Sequence, residues 1–122
     1  MKEADIVLAT IPQADGAIKT RPVLILRRLP KYNDFLVCGI SSQINQYIAG
    51  FDEVIYSANH NFHSTGLRTD SVIRLSFLAV LHEKIIAGKI GEIDHSLHQT
   101  LLKRLSGYIN GQSTTGNEKL KK

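Results

Sequence analysis

The sequence predicts a mainly β chain of the α+β class, with a compact antiparallel barrel or curled sheet followed by one C-terminal helix. Three observations carry this. Strand signals recur at short, even spacing with few helical intervals between them. Two of them, Val23-Leu24-Ile25-Leu26 and Phe35-Leu36-Val37-Cys38, are unbroken apolar runs of the kind found in strands covered on both faces. Leucines recur at helical spacing only once, after residue 94. A chain of 122 residues suffices for one core, so one domain is expected over residues 1–110, with 111–122 as a flexible polar tail.

Asp5-Ile6-Val7-Leu8-Ala9-Thr10-Ile11 is β-branched and apolar and stops at Pro12, which makes it the first strand. Asp15-Gly16 marks a turn, and Ala17 to Thr20 lead into the second strand. Pro22 has no N–H for a ladder, so it is expected at that strand's first position, with Val23 to Leu26 behind it. Arg27, Arg28 and Lys31, with Pro30 and Asn33-Asp34 among them, form a basic connection. Phe35 to Ile40 is the third strand, ending in the polar set Ser41-Ser42-Gln43. Phe51 to Tyr56 reads as a short strand, Ser57 to Gly66 as a polar loop, and Ser71 to Leu75 as a strand interrupted by Arg74. Phe77 to Leu81 is a further apolar run, and Ile85 to Gly91 closes the sheet. Asp94 offers an N-cap for a helix whose stripe is Leu97, Leu101, Leu102, Leu105 and Ile109, stopped by Asn110-Gly111. Lys103 and Arg104 are expected to face water.

Fifteen basic against eleven acidic residues give a charge of +4, and the pI is near 9.3, a balance that permits an anionic partner without demanding one. Cys38 is the single cysteine, so no internal disulfide forms, and its apolar neighbours make it a buried, inert thiol. His60 and His63 lack a cysteine or carboxylate at ligand spacing and are read as loop histidines; no metal site is predicted. No apolar stretch is long enough to span a membrane and no leader pattern stands at the start, so the cytoplasm is the expected compartment.

Two places carry chemistry. Arg21 stands at the mouth of a buried strand beside a rigid proline, and a guanidinium fixed in this way suits a phosphate. The tip of the third strand delivers two hydroxyls and an amide, from Ser41, Ser42 and Gln43.

With the strands in this order, the chain resembles the MazF/PemK toxins of toxin–antitoxin modules. The likeness rests on Ala4-Asp5-Ile6-Val7-Leu8, on Arg21-Pro22-Val23-Leu24-Ile25-Leu26, on Gly39-Ile40-Ser41-Ser42-Gln43, and on Gly66 to Leu75 followed by Gly88-Lys89-Ile90-Gly91 and a helix. It implies a small SH3-like antiparallel barrel of the CcdB/PemK type, paired as a homodimer. The implied activity is metal-independent endoribonuclease cleavage of single-stranded RNA, with no cofactor. Arg21 and Ser41 take the places of the family's catalytic pair. Lys19, Ser42, Gln43, Arg68, Asp70 and Arg74 are further candidates for contact with RNA, and Asp70 is expected to anchor Arg21 or Arg68. One departure stands out: where the MazF branch carries Ile-Arg-Thr, this chain has Leu78-Ala79-Val80. The resemblance also implies a cognate antitoxin with an acidic tail, which the loop of Arg27, Arg28 and Lys31, with Lys19, would attract to the RNA surface. The rival expectation is a non-catalytic module of the same fold acting on a protein such as gyrase.

Overall fold

The computed structural model describes residues 1–12 and 15–112; most of the expected tail lies outside them. Six strands, β1 (Asp5–Pro12), β2 (Ile18–Arg28), β3 (Asp34–Ser41), β4 (Glu53–Ile55), β5 (Ser71–His82) and β6 (Ile86–Glu92), precede one helix, α1 (His95–Ile109). They form one curled antiparallel sheet in the order β4-β5-β3-β2-β1-β6.

Strand alternation divides the apolar runs between two cores. Leu24, Leu26, Cys38, Ile40, Ile73 and Leu75 point to the face that α1 covers with Leu101 and Leu105. Val7, Ala9, Val23, Ile25, Phe35 and Val37 point to the opposite face. This double coverage is why Val23 to Leu26 contains no polar residue. Each large aliphatic side chain so buried contributes about 1.5–3 kcal/mol. Cys38 is fully buried, and its burial pushes the thiol well above its usual range, so it stays protonated.

Helix α1 begins where expected, since Asp94 Oδ1 accepts the Leu97 amide at 2.7 Å. Its inner face carries, besides the leucines, a buried His98 whose Nε2 donates to the Leu26 carbonyl at 2.9 Å. Arg104 does not face water as expected. Its Nη1 donates to the carbonyls of Phe51 and Asp52 and to Glu53 Oε1 at 3.1–3.3 Å, because β4 is too short to satisfy the chain that enters it.

Two further expectations are corrected by the sheet itself. Strand β2 starts four residues before Pro22, which pairs with Leu8 of β1. A residue without an N–H fits there only at a non-hydrogen-bonded position, its missing donor turned toward β3, where pairing starts at Val23. The runs 71–75 and 77–81 are one strand, bent where its register with β3 jumps from Cys38↔Leu78 to Gly39↔Arg74.

The sheet edges, β4 and β6, are bridged by the helical turn His63–Thr65, which packs on β6 through two glycines. A Cβ on Gly66, whose φ is +74°, would collide with the Ile90 carbonyl, and one on Gly91 with the Thr65 carbonyl. At this same end of β6, Asp5 pairs with Glu92, is 1% exposed and receives the Lys2 amide at 2.9 Å, the Lys2 ammonium at 3.0 Å and the Lys89 ammonium at 3.2 Å.

Burial pushes the Asp5 carboxyl up, but these donors outweigh it and hold the group below the usual carboxylate range. The folded pKa is therefore below the unfolded value of about 3.9, so the stabilisation is complete at neutral pH and is lost as the pH falls through the folded pKa. Asp5→Asn is expected to cost about 1–3 kcal/mol at pH 7 and to flatten the acid limb of stability below about pH 4, as read by urea unfolding across pH.

Candidate active site

The sheet brings five of the sequence-predicted residues, Arg21, Ser41, Ser42, Gln43 and Arg74, together in one cavity. The β2–β3 ladder ends at Val23↔Gly39, and Arg21 and Ser41, each two residues past that pair on antiparallel strands, line one cavity. On the other side of β3, Gly39 pairs with Arg74 of β5. Arg74 lies between Ile73 and Leu75, which enter the helix-side core, so its own side chain points to the opposite face. Gly39 has no side chain, and the edge of the Phe77 ring occupies the space that its Cβ would fill.

The result is a cavity of about 220 Å³ lined by Arg21, Ser41, Ser42, Gln43, Arg74 and Phe77, with Ile11, Pro22, Val23, Ile40 and Gln46 completing the wall. Both arginines have a buried Nε that meets no hydrogen-bond partner among the described residues. The Arg21 side chain makes no ion pair among the described residues, while Arg74 Nη2 reaches Ser76 Oγ at 3.5 Å. Ser41 Oγ accepts the Gln43 amide at 3.0 Å, which fixes the strand tip and leaves the hydroxyl proton available for donation. The pocket thus offers forked cationic donors and a hydroxyl to one acceptor, the pattern that a phosphodiester satisfies.

Other predicted residues fall elsewhere. Lys19 is exposed on β2, two residues before Arg21, and is outside the cavity wall. Arg68 and Asp70 lie on the approach to β5; Asp70 Oδ1 accepts the Ser57 amide at 2.6 Å and anchors neither arginine. The basic loop is at the opposite end of β2, Arg28 being seven residues or roughly 23 Å beyond Arg21. There Arg27 pairs with Glu3 at 2.9 Å, Arg28 bonds Asn33 and covers the Phe35 ring, and Lys31 covers Tyr32. Strand geometry, not charge, therefore separates that loop from the Arg21 surface. Leu78-Ala79-Val80 is the half of β5 paired with Leu36 to Cys38. No cluster of three metal-ligating side chains occurs among the described residues.

Two residues of the site carry no signal in the sequence. Asp52, 2% exposed, is surrounded by donors: its carboxylate accepts the Ile48 amide at 3.1 Å, the Ser76 amide at 3.2 Å and the Ser76 hydroxyl at 3.3 Å. It thereby ties the bend of β5 to the loop after β3. Phe77, just past that bend, lies over Gly39 and forms one wall of the cavity. Both depend on the register jump, which no local pattern announces.

A buried guanidinium nitrogen without a partner costs stability. Arg21→Met, similar in length and able to fill the apolar rim of Ile11 and Val23, is expected to raise unfolding free energy by about 0.5–2 kcal/mol in urea titration. A loss of stability would mean that Arg21 is a structural residue.

A family model described as "PemK-like, MazF-like toxin of type II toxin-antitoxin system" matches residues 2–109. A search of curated protein sequences finds no match. Among solved structures, the Mycobacterium tuberculosis toxin MazF-mt6 superposes with a TM-score of 0.63 at 22% identity, over 88% of this chain and 97% of that one. That likeness is one of fold. No helix among the described residues is long and apolar enough to cross a membrane.

Proposed function

Because the chain belongs to the PemK-like, MazF-like toxins of type II toxin–antitoxin systems, we propose that it is an endoribonuclease that cuts single-stranded RNA without a metal ion. The observation that supports this most is the convergence of Arg21 and Arg74, each with an unpartnered buried Nε, beside the Ser41 hydroxyl in one cavity.

RNA carries its own nucleophile. The 2′-oxygen attacks the adjacent phosphorus, the new P–O2′ bond forms as the P–O5′ bond breaks, and a 2′,3′-cyclic phosphate and a 5′-hydroxyl result. Negative charge builds on the non-bridging oxygens as phosphorus becomes pentacoordinate, and Arg21 and Arg74 supply N–H donors from either side of Gly39. Neither arginine takes up the 2′-hydroxyl proton, since a guanidinium stays protonated at neutral pH; that proton passes to water. Ser41, its oxygen already accepting from Gln43, donates its proton to the leaving 5′-oxygen and regains one from solvent. Ser42 and Gln43 hold the flanking backbone, and Lys19 attracts it along β2. Arg68 and Asp70 belong to the outer surface.

The antitoxin that the family implies would place an acidic segment over Lys19, Arg21 and Arg74, in competition with RNA. The basic loop beyond Arg27 is too far along β2 to share in that competition. Homodimerisation uses another surface. An apolar groove of about 500 Å³ runs between β5 and α1, lined by Ile48, Ala49, Phe51, Leu75, Ser76, Leu78, Leu105, Tyr108 and Ile109 with no charged residue. A second copy, presenting the same uncharged groove, is its occupant. Leu78→Lys is expected to shift the protein from dimer to monomer in sedimentation; a wild-type monomer at micromolar concentration overturns this part of the reading.

The nuclease is tested with purified protein, a long unstructured RNA and excess EDTA, the fragment ends being read by mass spectrometry. Wild type is expected to leave cyclic-phosphate ends, with Arg21→Ala and Ser41→Ala each slower by about 100-fold or more. Intact RNA under all conditions overturns it in favour of a module that binds a protein target such as gyrase.

A further inference from the structure

We propose that Phe77 is a stacking platform for a nucleobase next to the cleaved phosphate, a binding role that rests on the nuclease reading of the same cavity. Phe77 is 40% exposed and lines the cavity that holds Arg21, Ser41 and Arg74. The neighbouring Leu78 turns away and lines the apolar groove under Tyr108, so the ring belongs to the polar site and not to that groove.

The ring is also held in place. A Cβ built on Gly39 would stand 2.6 Å from Phe77 Cδ2, so the phenyl edge occupies the space that the missing side chain leaves. Its backbone follows Ser76, whose amide and hydroxyl are both bound by the buried carboxylate of Asp52. A platform fixed from beneath by a glycine and from behind by a buried carboxylate loses little conformational freedom when a base settles on it. Single-stranded RNA is recognised largely through stacking of unpaired bases on such rings, beside cationic groups that hold the backbone. Stacking accepts any base, so Phe77 supplies affinity and base position, while sequence preference comes from hydrogen-bonding groups around it.

The test compares a fluorescent, non-cleavable 2′-O-methyl RNA 12-mer of random sequence with an abasic phosphodiester backbone of the same length. Wild type is expected to prefer the RNA, and Phe77→Ala to lose about 10- to 100-fold in RNA affinity while binding the abasic strand unchanged. Phe77→Tyr restores the preference, and Gly39→Ala, which displaces the ring, reduces it. The chain contains no tryptophan, so Phe77→Trp installs a sole reporter, expected to be quenched by the RNA and not by the abasic strand. Phe77→Ala and Phe77→Trp that both fold, keep RNA cleavage and show no dependence on bases overturn the platform and leave the nuclease standing. A wild type that neither binds nor cleaves RNA overturns both.

Discussion

A carboxylate withdrawn from water has to find donors, and Asp52 finds them in the amides of Ile48 and Ser76 and the hydroxyl of Ser76. Those contacts cross from the loop after β3 to the middle of β5, at the place where β5 leaves and regains register with its neighbour. The bend decides which residue of β5 meets Gly39. With it, Arg74 does, and the strand returns to regular pairing at Leu78. Without it, the pairing that runs from Asp34↔His82 to Cys38↔Leu78 would continue and set Phe77 opposite Gly39, with Arg74 three places away. One buried group thus stands behind the spacing of two arginines on different strands.

The same site shows where stability has been given up. The face away from α1 is packed with Val23, Ile25, Phe35 and Val37 until it reaches Gly39, and from there the layer thins to guanidinium, hydroxyl and amide. Arginine nitrogens buried without partners are a cost that the fold carries elsewhere, in a helix-covered core on the other side of the sheet and in the Asp5–Lys2–Lys89 cluster at its edge. The arrangement fits a surface held ready for an anion rather than one assembled around it.

Much of the fold is legible in the residues because it follows from short-range rules. Unbroken apolar runs give the doubly covered strands, Asp94 and the leucine spacing give α1, and apolar neighbours give a buried Cys38. Arg21 and Ser41 stand out because each sits beside a strand signal, and the antiparallel strands then bring them to one cavity. What the residues conceal is set by contacts far apart in sequence. Pro22 tempts one to start a strand at its ring, yet an internal position is tolerated wherever the missing donor faces an unpaired side. Arg104 lies on the polar flank of a helical wheel, and only the short β4 beside it makes it a cap for distant carbonyls. Asp52 looks like an ordinary carboxylate at the start of a short strand until the bend closes over it. Arg27, Arg28 and Lys31 form a basic cluster in sequence, but the length of β2 carries them to the far end of the molecule.

The outermost pairing of the sheet joins β1 to β6, setting Asp5 against Glu92, so the first strand waits for a segment more than eighty residues later before its outer edge is covered. Leu24 and Leu26 wait longer still, for Leu101 and Leu105. Contacts of such separation form late and slowly. During synthesis, the growing chain therefore passes most of its length without a finished sheet. The chain would in this way complete its architecture only once nearly the whole fold had emerged from the ribosome.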